Sequence, residues 1–332
     1  MKKYHIYGIG NALVDIEVEV SEENLKQLEI EKGIMTLVDE ERQNFLLDAL
    51  PGTHHHRACG GSAANSVIGA AKLGAKTFYS CKIANDEMGT FYAEDLEREG
   101  VNSNLTEQTR EAGHTGRCIV MVTPDADRTM NTHLGITGDL GFEQVDEQAL
   151  NESEWLYIEG YLVSTDAARE AAMKTKQIAE SKGLKVAMSF SDLSMVKFFH
   201  DGLKDMVGTG VDILFCNEEE AITYTESSDI ERAFDALKDV AKTFAITRGP
   251  KGAVLWDGER RIDIDAHKVK AVDTNGAGDL FAGAFLYGIT HGFNYETSGR
   301  LASFASARLV QEFGPRLSSE GLQLVKNFLK EL

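Results

Sequence analysis

The chain has 332 residues, with 53 acidic against 34 basic side chains and a formal net charge of −19. That balance repels nucleic acid and anionic lipid surfaces, which removes both as expected partners, but it leaves room for a local positive pocket. No stretch approaches the roughly 18–20 apolar residues of a membrane helix, and Met1-Lys2-Lys3-Tyr4 runs straight into a strand-like segment with no apolar leader, so a soluble, cytoplasmic protein is expected.

In chain order, Tyr4 to Ile9 reads as a strand. Val14 to Val20 alternates apolar and acidic residues, the pattern of a strand with one wet face. His54-His55-His56, after Pro51-Gly52, reads as a solvated loop in preference to a metal site. Ser62 to Leu73 predicts a small-residue helix capped by Ser62 and stopped by Gly74. A strand over Thr77–Ile83 and a helix over Thr90–Glu99, ended by Gly100, come next. Arg117 to Thr123, the turn Pro124-Asp125-Ala126-Asp127 and Arg128 to His133 read as a hairpin. Further strands are expected at Trp155–Ile158, Lys185–Phe190, Val211–Cys216 and Thr243–Thr247, separated by helices such as Ala167–Ser181. The C-terminal third is helical over Ala277–Thr290, Tyr295–Glu312 and Glu320–Leu332.

This alternation predicts an α/β protein with a mainly parallel sheet. The segments that break it, about residues 12–39 and 115–135, predict a small β lid over the main sheet. With no internal repeat and no Pro/Gly/Ser-rich linker, residues 1–332 read as one domain. The four cysteines, Cys59, Cys81, Cys118 and Cys216, form no C-x-x-C pair and are expected to be reduced and mostly buried.

The strongest local signal is Asp273-Thr274-Asn275-Gly276-Ala277-Gly278-Asp279. It follows the strand-like Val269–Val272 and opens an apolar helix, so unpaired N–H groups and the helix dipole meet at a turn small enough for a ligand to approach. Asp279 lies beside that anion site, the pairing phosphoryl transfer requires: one group steadies the phosphoryl, the other orients the attacking hydroxyl. A glycine turn with an acidic cap is the plainer reading. Gly60-Gly61-Ser62-Ala63-Ala64-Asn65 also opens a helix, either for close helix–sheet packing or to bring Asn65 to a polar ligand. Asn217 and Glu220 stand three apart at a helix start, suited to a capping box and to a water-coordinated Mg²⁺. Thr247-Arg248-Gly249-Pro250-Lys251-Gly252 reads as a turn between strands or as a contact for nucleotide phosphates. Gly8-Ile9-Gly10-Asn11-Ala12-Leu13 imitates a dinucleotide turn, but Leu13 occupies the third glycine position and a strand follows. Extended backbone there puts Asn11, Leu13 and Asp15 on one face, either to hold neighbouring sugar hydroxyls or as a turn with a solvated acid. No G-x-x-x-x-G-K-[ST] occurs, which excludes a P-loop kinase.

Together these motifs resemble the ribokinase-like (PfkB) family of carbohydrate and nucleoside kinases, over about residues 4–316. Asp273 to Asp279 is similar to that family's D-T-x-G-A-G-D signature, Gly60 to Gly89 to its second signature, and Asn217-x-x-Glu220 to its N-x-x-E motif. The resemblance implies a three-layer α/β/α fold with a β-sheet lid, ATP with Mg²⁺ as the phosphoryl donor, and a monovalent cation such as K⁺ beside them. It implies Asp279 as catalytic base, with the Gly276, Ala277 and Gly278 backbone as anion hole. Asn217 and Glu220 would hold Mg²⁺ through water, with Thr247, Gly249, Gly252 and Asn275 at the nucleotide. Gly10 to Asp15, Tyr157-Ile158-Glu159-Gly160-Tyr161 and Arg128 look most like bacterial adenosine-kinase-like members. By that analogy Asn11, Asp15, Gly60, Gly61, Ser62, Asn65 and Tyr161 bind the acceptor and Arg128 assists transfer. Thr115-Gly116-Arg117 and Ser189-Phe190-Ser191-Asp192 depart from animal adenosine kinases. Adenosine to AMP is the expected reaction; a fructokinase- or ribokinase-type sugar kinase is the alternative, as a monomer or homodimer.

Overall fold

The computed structural model describes residues 2–50 and 54–332, with backbone alone for residues 54–57. The strands in the first half are β1 (Tyr4–Ile9), β2 (Leu13–Glu19), β3 (Met35–Leu37), β4 (His54–Gly60), β5 (Thr77–Ser80), β6 (Asn102–Ser103), β7 (Gly116–Val122) and β8 (Arg128–His133). The second half adds β9 (Ser153–Glu159), β10 (Lys185–Ser189), β11 (Val211–Asn217), β12 (Ala241–Thr247), β13 (Ala253–Trp256) and β14 (Arg261–Ile264). Among the described residues they form a nine-stranded sheet, β14-β13-β12-β11-β10-β9-β1-β5-β6, and a five-stranded sheet, β3-β8-β7-β2-β4. Pairing in the large sheet is parallel from β6 to β12 and antiparallel only through the β12–β13–β14 meander.

Strand residues of the large sheet alternate between two buried faces, as a sheet covered on both sides requires. Ile6, Trp155, Tyr157, Ile213 and Phe215 pack under the helices Ser62–Leu73, Ala277–Thr290 and Tyr295–Leu309. Tyr7, Ile158, Met188, Leu214 and Phe244 face the helices Asp166–Ser181, His200–Val207 and Ile230–Leu237. This is the expected three-layer α/β/α arrangement. The chain runs one way from β1 to β5 and β6, then returns to the other side at β9, so β1 and β9 flank a reversal of strand order. Ligands of open α/β sheets bind at the carboxyl ends of strands beside such a reversal.

Several expectations are corrected. The wet face expected of strand β2 survives only at Glu19, because Asp15 and Glu17 are buried at 5% and 1% exposure under neighbouring segments. Residues His54–His56 begin strand β4 instead of lying in a loop, and the Pro51-Gly52 turn lies outside the described residues. Gly61 caps the helix that Ser62 opens. The strand expected to Ile83 ends at Ser80, and the next helix starts at Glu87 because Asp86 caps it through Gly89 N–H. Val269–Val272 forms no strand, and Val272 N–H bonds to the Val310 carbonyl instead. The last two helices span Tyr295–Leu309 and Ser319–Leu329. The Arg128 hairpin is present as β7–β8, joined by β2 from the earlier segment and by β4, which the sequence reading did not place there. All four cysteines are buried and unpaired. No helix among the described residues is long and apolar enough to cross a membrane.

Candidate active site

Two helix starts converge at the centre of the molecule because small residues let their helices touch. A methyl at Gly283 would lie 2.2 Å from the Ser66 carbonyl, and one at Gly69 would lie 2.8 Å from Leu280. This contact brings Ser62 and Asn65 to Asp279. Ser62 Oγ donates to Asp279 Oδ1 at 2.6 Å, and Asn65 Nδ2 donates to Oδ2 at 3.0 Å. Burial pushes the Asp279 carboxyl up from its ordinary value, against the pull of these two bonds and of Arg128. A raised carboxylate suits proton acceptance near neutral pH.

The turn before Asp279 is built by Asp273, whose oxygens accept from Asn275 N–H (2.8 Å) and Gly314 N–H (2.9 Å). Gly276 holds φ +72° at the helix cap, with Pro315 where a methyl would go, so glycine is required there. Ala277 N–H bonds to the Thr274 carbonyl at 3.3 Å, whereas no described residue accepts from the N–H groups of Gly276, Gly278 and Asp279. A methyl at Gly278 would meet nothing within 4 Å. Of the expected 276–278 set, the Ala277 N–H is taken up within the turn, while the N–H groups of 276, 278 and 279 have no acceptor among the described residues.

One cavity of about 650 Å³ unites nearly all the predicted residues. Asn11, Asp15, Gly61, Ser62, Asn65, Arg128, Tyr161, Asn217, Glu220, Thr247, Gly249, Gly252 and Asn275 line it together with Gly276 to Asp279. Gly60 is outside the lining. It serves the site indirectly, since a methyl there would fall 1.9 Å from Asp15 Oδ1. The Asp15 carboxylate faces the Asn275 amide, and its pKa is well above the usual range because of burial and the neighbouring Glu17. Arg128, on β8, is half-buried with no ion pair among the described residues and a partnerless Nε. Burial opposes its charge, but Tyr161, Asp192, Asp279 and Glu220 around it raise its pKa further.

Asn217 and Glu220 make the full capping box: Asn217 Oδ1 accepts from Glu220 N–H (2.8 Å), while Glu220 accepts from Asn217 N–H (2.9 Å) and Nδ2 (2.8 Å). Burial and then the nearby Asp192 raise the Glu220 carboxyl to about 7 despite those bonds. Thr247, Gly249 and Gly252 sit on the turn between β12 and β13, where Arg248 is already paired with Glu218 at 3.0 Å.

Glu159 is a site residue that the sequence reading named only as part of a resemblance. It is fully buried at the end of β9, and its oxygens accept from Asn11 N–H (2.6 Å) and Ala63 N–H (2.7 Å). It thereby joins the acceptor turn to the start of the Ser62 helix. Burial raises its carboxyl to about 8, against the effect of those two N–H donors. The available signal was an acid closing a run of apolar strand residues, at the sheet end where ligands bind.

Comparison with known proteins identifies the family and the fold. The pfkB family carbohydrate kinase model matches residues 35–321. A probable sugar kinase protein from Rhizobium etli CFN 42 is 34% identical, covers 99% of both chains and superposes with a TM-score of 0.94. Adenosine kinase from Sinorhizobium meliloti is 33% identical, with a TM-score of 0.93 over 98% of this chain and 99% of that one. Adenosine kinase from Saccharomyces cerevisiae is 26% identical over 96% of this chain and 98% of its own. The chain belongs to the pfkB family of carbohydrate kinases, phosphotransferases that act on an alcohol group of a sugar or nucleoside.

Proposed function

We propose that the protein is an adenosine kinase that transfers the γ-phosphoryl group of ATP to the 5′-hydroxyl of the nucleoside. The observation that carries the nucleoside reading is the shape of the acceptor end. Besides Asn11 and Asp15, the cavity is lined by the apolar side chains of Leu13, Leu37, Met130 and Leu134 and by Tyr161. A ribose ring uses the polar groups; a flat base uses the apolar compartment, which a free sugar would leave unfilled. Asp15 then accepts hydrogen bonds from ribose hydroxyls, beside the Asn275 amide that faces the same carboxylate.

In this reading Asp279 takes the hydroxyl proton while the acceptor oxygen bonds to phosphorus and the bond to the departing ADP oxygen breaks. The N–H groups of 276, 278 and 279 steady the charge on the moving phosphoryl, and Arg128 adds its charge from the lid. Glu220, with Asn217 and the nearby Asp192, offers the oxygen donors that suit Mg²⁺ held through water. Bound there, Mg²⁺ supplies charge neutralisation for the triphosphate. Strands β2, β3, β7 and β8 act as a lid, so residues 1–332 work as one kinase domain. A monovalent cation such as K⁺ is part of the same reading and is tested by varying KCl.

Side-by-side kcat/KM values for adenosine, 2′-deoxyadenosine, ribose and fructose test the acceptor. Adenosine should be turned over and 2′-deoxyadenosine much more slowly, because a site built to bind a hydroxyl rejects the analogue lacking it. Turnover of fructose or ribose above adenosine would leave the kinase assignment standing and remove the nucleoside.

A further inference from the structure

A basic group with only 12% of its side chain exposed lies behind Asp15, outside the cavity lining and outside every motif read from the sequence. Arg316 follows Pro315, the residue packed on Gly276. Its Nη1 lies 2.6 Å from Asp95 and 3.6 Å from Glu99, and Nη2 donates to the Cys59 carbonyl. Asp95 accepts the Cys59 N–H at 3.1 Å. The Arg316–Asp95 pair therefore holds both backbone polar groups of Cys59, which sits opposite Val14 in the β2–β4 ladder. The next residue is Gly60, against which the Asp15 carboxylate rests. The strand end that Arg316 grips is the wall behind Asp15.

The charges facing Asp15 make that position consequential. Glu17 on the same strand and Asp279 from the Ala277 helix oppose its ionisation, and Cys118 is its partner across the β2–β7 ladder. Favouring ionisation are Arg316 and the Asn275 amide. Around Arg316 itself stand Asp95 and Glu99, which also pair with Arg98 and Lys72 respectively.

We propose that Arg316 is a positioning residue for acceptor binding: with Asp95 it grips Cys59 and so fixes the end of β4 behind Asp15. The proposal rests on the reading of Asp15 as the acceptor-holding group.

The test uses Arg316→Gln and Arg316→Lys in the full chain, measuring kcat and KM separately for adenosine and ATP across about pH 5.5–9, with melting temperatures alongside. Removing the cation raises the Asp15 pKa, so Arg316→Gln should move the acidic limb of kcat/KM for adenosine upward by about one pH unit. It should raise KM for adenosine about tenfold while kcat and KM for ATP stay within about twofold. Arg316→Lys keeps the charge and loses the two-pronged grip, so the limb stays in place while KM for adenosine rises by a smaller factor. A lowered melting temperature with unchanged adenosine KM and limb in Arg316→Gln would reduce Arg316 to a structural pair and overturn the proposal. If the Gln variant does not fold, unchanged adenosine KM in Arg316→Lys overturns it instead. Asp15→Asn separates the two readings: a wild-type adenosine KM there sinks the role of Asp15 itself, whereas a raised KM there with a silent Arg316→Gln sinks only this proposal.

Discussion

Ser62 and Asp279, 217 positions apart in sequence, share a 2.6 Å hydrogen bond between the first turns of two helices. The bond defines the site because it fixes the carboxylate against a helix start that also carries Asn65. It also holds the carboxylate in place before an acceptor hydroxyl arrives.

Asp279→Asn should therefore fold normally, since the amide keeps an oxygen for Ser62 or Asn65. Its kcat should fall by roughly 10²- to 10⁴-fold, the range for a lost general base. KM for ATP should change little, because the N–H groups of the turn are untouched. Steady-state kinetics at saturating acceptor check this; a near-wild-type kcat would place the base elsewhere.

Two glycines of the site should respond in opposite ways to alanine. Gly61 has φ +95° and the Asn11 carbonyl 2.2 Å from where a methyl would stand, so Gly61→Ala should destabilise by about 1–3 kcal/mol or more. Gly278 faces open space inside a helix, where alanine gains up to about 1 kcal/mol. Gly278→Ala should keep or raise the melting temperature yet lower kcat/KM for ATP, because its methyl enters the anion site. Thermal melts paired with ATP kinetics give both answers, and a fully active Gly278→Ala would argue against phosphate binding there.

Glu220 gives a pH signature. Its carboxyl is raised to about 7 by burial, so it is largely protonated below that pH and a poor partner for a hydrated divalent cation. The Mg²⁺ concentration giving half-maximal rate should climb as pH falls through 7, and Glu220→Gln should weaken Mg²⁺ activation while flattening that dependence. Mg²⁺ titrations at about pH 6 and 8 measure it; the same pH slope in the Gln variant would assign the titration to another group.

Hydrogen exchange tests the lid. With acceptor bound, amides in residues 12–39 and 115–135 should exchange more slowly, because closure over the site excludes water. Protection confined to the large sheet would remove the lid role from these strands.

Much of this was legible in sequence, for physical reasons that also explain the failures. Asp273 to Asp279 could be read because backbone chemistry at a glycine-rich helix start depends on local residues alone. The wet face expected over Val14–Val20 fails at Asp15 and Glu17 because alternation records polarity and not what later covers it: segments around Asn275, Gly314 and Arg316 close over that face. Val269–Val272 has the side chains of a strand, but Val272 N–H goes to the Val310 carbonyl and not to a sheet. Glu159 and Arg316 escaped notice for a shared reason. Each acts by binding main-chain groups of distant segments, and no spacing rule announces a partner that only the folded chain supplies.

The composition of the five-stranded sheet has a consequence for how the molecule assembles. Leu13 lies opposite Gly116 in the parallel β2–β7 pair, and Met35 opposite Met130 in β3–β8. These ladders close long loops, and loop-closure entropy has to be offset before such non-local contacts form. The intervening chain includes β5 and the helices that dock on the large sheet. Once that core has formed, it brings the ends of these loops together and lowers the closure cost. The acceptor-binding half would then be a late acquisition of the folding chain and an early loss on unfolding, so catalytic competence would disappear while most helical structure persists.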